Sequence, residues 1–377
     1  MDRIFLSSPH MGGTEEKYIK EAFDTNWIAP LGNNVNEFEN VVKKFTGIKA
    51  ACALSSGTGG IHIALDLLGA GEDDIVFCSS LTFIASANPI AYLGATPVFI
   101  DSDLESWNMS PAALEKAFEA YDKKGKLPKA VIIVNLYGQS AKLDELLPIC
   151  EKYGVPIIED AAESLGSKYH GKMSGTFGDF GIFSFNGNKI ITTSGGGMIV
   201  SDNEEMIAKA LKKATQSRDQ AVHYEHSEVG YNYRLSNISA GIGRGQMEVL
   251  RKRVEQKRAI FDRYCDALGD VDGIEFMPEL EDSLHNRWLS TLTVNSERLD
   301  VTPNEIIEYL AEFNIEARPV WKPMHMQPLF AENDYFSDNQ DNSRFLFESG
   351  LCLPSDTKMS IEDQNYVIGK ILDLLKQ

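Results

Sequence analysis

The stretch FGIFSFNGNKIITTSGGGMIVS, residues 180–201, holds two apolar runs with a lysine and a glycine triplet between them. FGIFSF (180–185) and GGMIVS (196–201) have the length and the β-branched and aromatic content of buried strands. Lys189 therefore stands just past a strand end. Toward the N-terminus the same pattern recurs in ACAL (51–54), DIVFC (74–78), TPVFID (96–101), KAVIIVNL (129–136) and VPIIED (155–160). Helical patterns separate these runs. TGGIHIALDLLG (58–69) puts Ile61, Ala64, Leu65 and Leu68 on one face, and KLDELLPICEKYG (142–154) is a second example. Strands alternating with helices predict an α/β fold with crossover units on a mostly parallel sheet.

Near residue 250 the texture changes. LRKRVEQKRAIFDRYCDAL (250–268) predicts one long charged amphipathic helix leading out of the first domain. Short segments follow, among them RWLSTLTV (287–294), TPNEIIEYLAEFN (302–314) and IEDQNYVIGKILDLLK (361–376). The expected organisation is a large domain over residues 1–250 and a smaller α+β domain over 251–377.

Acidic residues number 55 against 36 basic ones, a formal charge of −19 over 377 residues. Such a field repels nucleic acid and anionic membrane, so an anionic ligand must be held locally. No apolar run approaches the roughly 20 residues that span a bilayer, and the first residues lack a signal-peptide core, so a cytoplasmic protein is expected. Cys52, Cys78, Cys150, Cys265 and Cys352 are widely spaced and form no CxxC pair, which predicts reduced core thiols. His223 and His226 have no third ligand nearby in sequence, and no metal site is expected.

In an open parallel sheet, ligands bind beyond the carboxyl ends of the strands. After ACAL comes SSGTGG (55–60), a glycine-rich turn opening a helix, where free N–H groups and the helix dipole suit a phosphate. After DIVFC, Phe83 stands at the same rim. VPIIED ends in Glu159 and Asp160, carboxylates that need a partner if buried. Each feature alone has an ordinary explanation: a common turn, a core phenylalanine, a structural ion pair, a hairpin lysine. The combination suits an aldehyde cofactor with a pyridine ring and a phosphate. Lysine forms the Schiff base, aspartate keeps the ring nitrogen protonated, an aromatic stacks on the ring and backbone amides cradle the phosphate. Gly195, Gly196 and Gly197 let the backbone pass close to the site, or else form a turn or bulge.

The ordered set SGTGGIHIAL (56–65), LTFIASANPI (81–90), PVFID (97–101), NLYGQ (135–139), IEDAAESLGS (158–167), GTFGDFGIFSFNGNKIITTSGGGM (175–198) and GYNYRLSN (230–237) resembles the DegT/DnrJ/EryC1/StrS family of pyridoxal phosphate-dependent sugar aminotransferases. The resemblance runs from LSSPHMGG (6–13) to GLCLPS (350–355), nearly the whole chain. It implies the aspartate-aminotransferase-like fold (fold type I), pyridoxal 5′-phosphate as cofactor, its pyridoxamine form during the cycle, and L-glutamate as amino donor. Lys189 matches the family's Schiff-base lysine and general base, and Asp160 the acid paired with the pyridine nitrogen. Phe83 falls at the stacking aromatic, and Gly57, Thr58 and Ser184 at phosphate contacts. Asn232 matches an asparagine that reaches the phosphate from the other subunit, which implies a homodimer with shared active sites. Family members often carry histidine or glutamine where this chain has Glu163. A carboxylate facing the cofactor's phenolic oxygen repels it unless one of them holds a proton, so Glu163 is expected to line the site with its role open.

Within the family, NWIAPLG (26–32), HNRWLSTLTV (285–294) and ARPVWKPMHMQPLF (317–330) are most similar to the branch that aminates UDP-4-keto-6-deoxy-N-acetylglucosamine at C4. That similarity marks Asn26, Trp27, Arg287, Arg318, Trp321, Lys322 and His325 as expected substrate contacts. Arg287, Arg318 and Lys322 are candidates for the diphosphate, while Trp321 and His325 could reach sugar or base. Other readings are a GDP- or dTDP-linked keto-sugar, aminated at C4 or C3, and a non-catalytic regulatory dimer that binds the cofactor. The expected GxGxxG spacing of a nicotinamide site is absent.

Overall fold

The structure is a computed structural model describing residues 2–376. The strands, in chain order, are β1 (Ala50–Leu54), β2 (Ile75–Ser79), β3 (Thr96–Ile100), β4 (Val131–Val134), β5 (Ile157–Asp160), β6 (Lys168–Tyr169), β7 (Lys172–Met173), β8 (Phe180–Ser184), β9 (Gly197–Ser201), β10 (Ile274–Phe276), β11 (Ser283–Leu284), β12 (Ser290–Val294), β13 (Arg318–Pro319), β14 (Tyr335–Phe336) and β15 (Gly350–Leu353). The main sheet has the order β1-β9-β8-β5-β4-β2-β3-β14. β9 runs antiparallel to both β1 and β8 and the other pairs are parallel. All of its neighbours therefore point their carboxyl ends the same way.

β4 and β5 are buried along their whole length, as central strands covered on both faces must be. On one face Ile61, Ala64 and Leu65 of the helix Gly57–Leu67 pack on Leu54, Ile158 and Ile182. On the other, the helices Pro111–Lys123 and Leu143–Tyr153 supply Leu114, Phe118, Leu143 and Leu146 against Val98, Val131 and Ile133. Each of the larger side chains here, Leu, Ile, Val or Phe, contributes about 1.5–3 kcal/mol by leaving water.

A second sheet, β10-β12-β15-β13, packs with the helices Pro303–Glu312 and Ile361–Leu374 around a separate core that includes Leu292, Leu310, Leu353 and Val367. The helix Asn237–Leu268 spans the boundary expected near residue 250. Its glycines sit where the N-terminal helices Glu15–Asp24 and Asn33–Thr46 come close: a Cβ on Gly243 would press on Phe38, and one on Gly245 on the Glu15 backbone. β14, from the C-terminal part of the chain, joins the edge of the main sheet at β3.

The N-terminal segment ties both parts to the lysine hairpin. Ile4 bridges Ile315, the Leu6 N–H donates to Glu316, and the Ser8 N–H donates to Asp356 at 3.0 Å. Ser7 Oγ donates to Asn188 O and accepts from the buried Lys257 Nζ at 3.0 Å. No helix among the described residues is long and apolar enough to cross a membrane.

Candidate active site

Four strand ends meet at one cavity of about 340 Å³. β1 delivers the turn Ser55–Ser56 and the start of the helix Gly57–Leu67, which Ser56 caps by accepting the Gly59 N–H. β2 leads to Thr82, Phe83 and Ser86, β5 ends in Asp160, and β8 ends in Ser184 just before the hairpin that carries Lys189. The antiparallel return through β9 brings Gly197 against the helix start, where a Cβ would overlap the Gly57 nitrogen. Only glycine allows that approach.

Gly57, Thr58, Phe83, Asp160, Glu163, Ser184 and Lys189, with the expected substrate contact Trp321, all line this cavity. Phe83 is half exposed and its ring centroid lies 5.2 Å from that of Trp321. Asp160 accepts from Ser86 Oγ at 2.7 Å and from the Ala162 N–H at 3.1 Å. Burial raises its carboxyl above the ordinary range, while those two donors and the Lys189 charge oppose the shift. Ser86 is in turn bonded to Thr82 Oγ1 at 2.7 Å. Lys189 Nζ lies 3.4 Å from Glu163 Oε1 and 4.1 Å from the centre of the Trp288 ring.

The neighbouring Glu159 serves the fold. It accepts from Asn135 Nδ2 at 2.8 Å and from the Gly175 and Phe177 N–H groups at 2.7 and 2.8 Å. Alternation along β5 sends the two carboxylates to opposite faces of the sheet.

A second cavity of about 500 Å³ shares Asn188 and Trp321 with the first and is lined by Ser7, Tyr137, Arg318 and Lys322. Arg318 is exposed and pairs with Glu316 at 2.8 Å. Four expected substrate contacts are elsewhere. Arg287 is buried, donating to Met277 O and Glu279. His325 is bonded to Ser80 Oγ at 2.7 Å and Asp341 Oδ2 at 3.1 Å and stacks on Tyr335, which fastens its segment to the end of β2. Asn26 and Trp27 are exposed, and Trp27 lines a different, smaller cavity with Glu21 and Asn237. Asn232 is exposed and does not line the cavity of its own chain.

Sequence reasoning missed Ser86, Tyr137 and Trp288. Ser86 was visible only as one of several small residues in LTFIASAN. Tyr137 holds φ = 53° so that its N–H reaches Glu163 Oε2 at 2.7 Å, and its hydroxyl accepts the Trp321 N–H at 2.9 Å. Nothing in its sequence neighbours signals that conformation.

The donor set fits pyridoxal phosphate: an amine, a buried carboxylate with room for a cationic partner, and a helix start unhindered by side chains, on one cavity. Fold and site are those of a fold type I, pyridoxal phosphate-dependent aminotransferase. The chain belongs to the DegT/DnrJ/EryC1/StrS aminotransferase family, which matches residues 9–372. It is 58% identical over 374 residues to EpsN of Bacillus subtilis (strain 168), described as a candidate pyridoxal phosphate-dependent aminotransferase, covering 99% of this chain and 96% of that one. It is 37% identical to GDP-perosamine synthase of Escherichia coli O157:H7 over 98% of both chains. Among solved structures, the candidate sugar aminotransferase Spr1654 of Streptococcus pneumoniae in its PLP form superposes with a TM-score of 0.90 at 25% identity, over 99% of each chain. The same protein has been solved in a PMP form.

Proposed function

We propose that the chain moves the amino group of L-glutamate to C4 of a nucleotide-linked 4-keto-6-deoxy-sugar, UDP-4-keto-6-deoxy-N-acetylglucosamine, as a cytoplasmic homodimer with shared active sites. The observation that carries this reading is the pair of adjoining cavities that share Asn188 and Trp321: Lys189 and Asp160 in one, Arg318 and Lys322 in the other. In a chain of net charge −19, two cations against the single carboxylate of Glu316 at the outer cavity leave a local positive excess where a diphosphate finds attraction. The likeness to a GDP-perosamine synthase supports a nucleotide-sugar acceptor, and it favours as second reading a GDP-linked keto-sugar.

Bound in the inner cavity, pyridoxal phosphate supplies an aldehyde that accepts amines and a ring that withdraws electrons from the adjacent carbon. The chain's residues do the rest. Lys189 Nζ, once free, would take the proton from the α-carbon of glutamate and, in the second half of the cycle, deliver one to the sugar carbon that is aminated. Asp160 keeps its charge against the ring nitrogen, with Ser86 and Ala162 orienting it. The N–H groups at Gly57 and Thr58, with Ser184, would hold the phosphate. Phe83 would lie against the cofactor ring, and Trp288 and Trp321, which line the same cavity, would keep water from the reacting atoms. Asn232 reaches the site of the partner subunit, consistent with its exposure here.

The test is a visible spectrum before and after L-glutamate, then after the UDP-keto-sugar. Loss of the cofactor band with glutamate and its return with that sugar supports the whole reading. Return only with a GDP-linked keto-sugar selects the second one, and Lys189→Ala should abolish the cycle, lowering turnover by at least about 10²–10⁴-fold.

A further inference from the structure

Arg287 has a backbone φ of 53°, a conformation that a residue bearing a Cβ adopts only when its surroundings enforce it. Here they do. Nη1 donates to Met277 O at 2.8 Å, Nη2 to Glu279 Oε2 at 3.2 Å, and the guanidinium lies 3.6 Å from the centre of the Phe261 ring. Its own N–H donates to His285 Nδ1 at 2.9 Å. The preceding residue, Asn286, is fixed as firmly. Its Nδ2 donates to Glu163 O and Leu165 O, both at 3.0 Å, and its Oδ1 accepts the Trp288 N–H at 2.9 Å. Arg287 is therefore buried in the fold while the next residue, Trp288, lines the cavity.

Trp288 touches the lysine hairpin twice. Its indole N–H donates to Asn188 O at 2.7 Å, the carbonyl of the peptide bond leading into Lys189. Its ring centre is 4.1 Å from Lys189 Nζ, within cation–π range, and the side chain is almost wholly buried. Water excluded from the ring face strengthens such a contact. Asn286 ties this tryptophan to the loop bearing Glu163, the other group beside the ammonium.

We propose that Trp288 is a positioning residue for Lys189: its ring face holds the ammonium in the cofactor-free protein, its indole N–H fixes the main chain that carries the lysine, and Arg287 keeps Trp288 turned into the site. A methionine there offers bulk without a π face; a phenylalanine keeps the face and loses the N–H. The two contributions separate by substitution.

The proposal rests on Lys189 being the cofactor-binding lysine, and its test lets the two fail separately. Borohydride reduction of the loaded full-length protein and peptide mapping identify the lysine that carries the cofactor; a label elsewhere overturns both. With the label on Lys189, cofactor-free full-length wild type, Trp288→Phe and Trp288→Met are treated with acetic anhydride at one pH. Lys189 modification is read by mass spectrometry against the exposed Lys209, with Trp288→Leu replacing the methionine variant if that one does not fold. Loss of the cation–π contact should make Lys189 react about two- to fivefold faster in Trp288→Met, with Trp288→Phe close to wild type. Equal acceleration in both variants, or in neither, overturns the role of the ring face. In the loaded enzyme Arg287→Lys should lower kcat and leave the KM for nucleotide-sugar unchanged; a selective rise in that KM overturns the part given to Arg287.

Discussion

Glu163 Oε1 stands 3.4 Å from Lys189 Nζ while its second oxygen is occupied by the Tyr137 N–H. Burial pushes this carboxyl above the ordinary range, and the lysine charge pulls it back. With the folded-state value raised, the carboxylate is lost as pH falls through a value higher than that of an exposed glutamate, about 4.3. The pH profile of kcat should therefore carry an acid limb displaced upward. Glu163→Gln should flatten that limb and lower kcat by about ten- to a hundredfold. A limb that survives the substitution counts against a part for this carboxylate in proton transfer.

Adjacent carboxylates on β5 should respond in opposite ways. Glu159→Gln sets an amide NH₂ where N–H donors now converge, and should cost about 1–3 kcal/mol of stability, read as a lower Tm, with KM values unchanged. Asp160→Asn should lower kcat by about 10²–10³-fold. Burial raises the Asp160 carboxyl, so in the cofactor-free protein the folded state holds this proton more tightly than the unfolded one. Its contribution to stability thus falls as pH rises through the ordinary value toward the raised one, and Asp160→Asn should remove that slope. A melting series from pH 4 to 8 on cofactor-free protein checks it.

Arg318 is exposed, and among the described residues its guanidinium pairs with Glu316. Arg318→Ala should raise the KM for nucleotide-sugar by about tenfold, the loss of one charge-assisted hydrogen bond, and change the KM for glutamate little. Equal effects on both substrates would remove Arg318 from the diphosphate.

The proposed sharing of sites between subunits makes a prediction about mixtures. Lys189→Ala and Asn232→Asp should each be nearly inactive alone. Unfolded together and refolded, they should recover activity in about a quarter of all sites, because each mixed dimer contains one intact site. No recovery, with mixed dimers verified by mass spectrometry, would place Asn232 in the site of its own chain or outside any.

Much of the large sheet was legible in the residues, because runs such as VIIV and FGIFS are buried on both faces and interrupted by turn residues. Lys189 and Asp160 were legible because they fall at strand ends. The antiparallel sense of β9 was hidden, since a buried run has the same composition in either direction. The start of the long helix at Asn237 was hidden by Gly241, Gly243 and Gly245, residues of poor helix propensity kept there by close packing against the N-terminal helices. Arg287 and His325 were misplaced for one reason. A cation in a motif signals that it has an anionic or polar partner, and here Glu279 and Asp341 supply it from within the chain.

The contact of Ser7 with Asn188 gives the first residues an influence out of proportion to their place at the chain's edge. A cut after Ser8 would strip a hydroxyl from the hairpin and leave the buried Lys257 without its hydrogen-bond acceptor. Versions of this enzyme shortened past Ser8 would then show their injury at the lysine hairpin, in the colour of the bound cofactor, far from where the change was made.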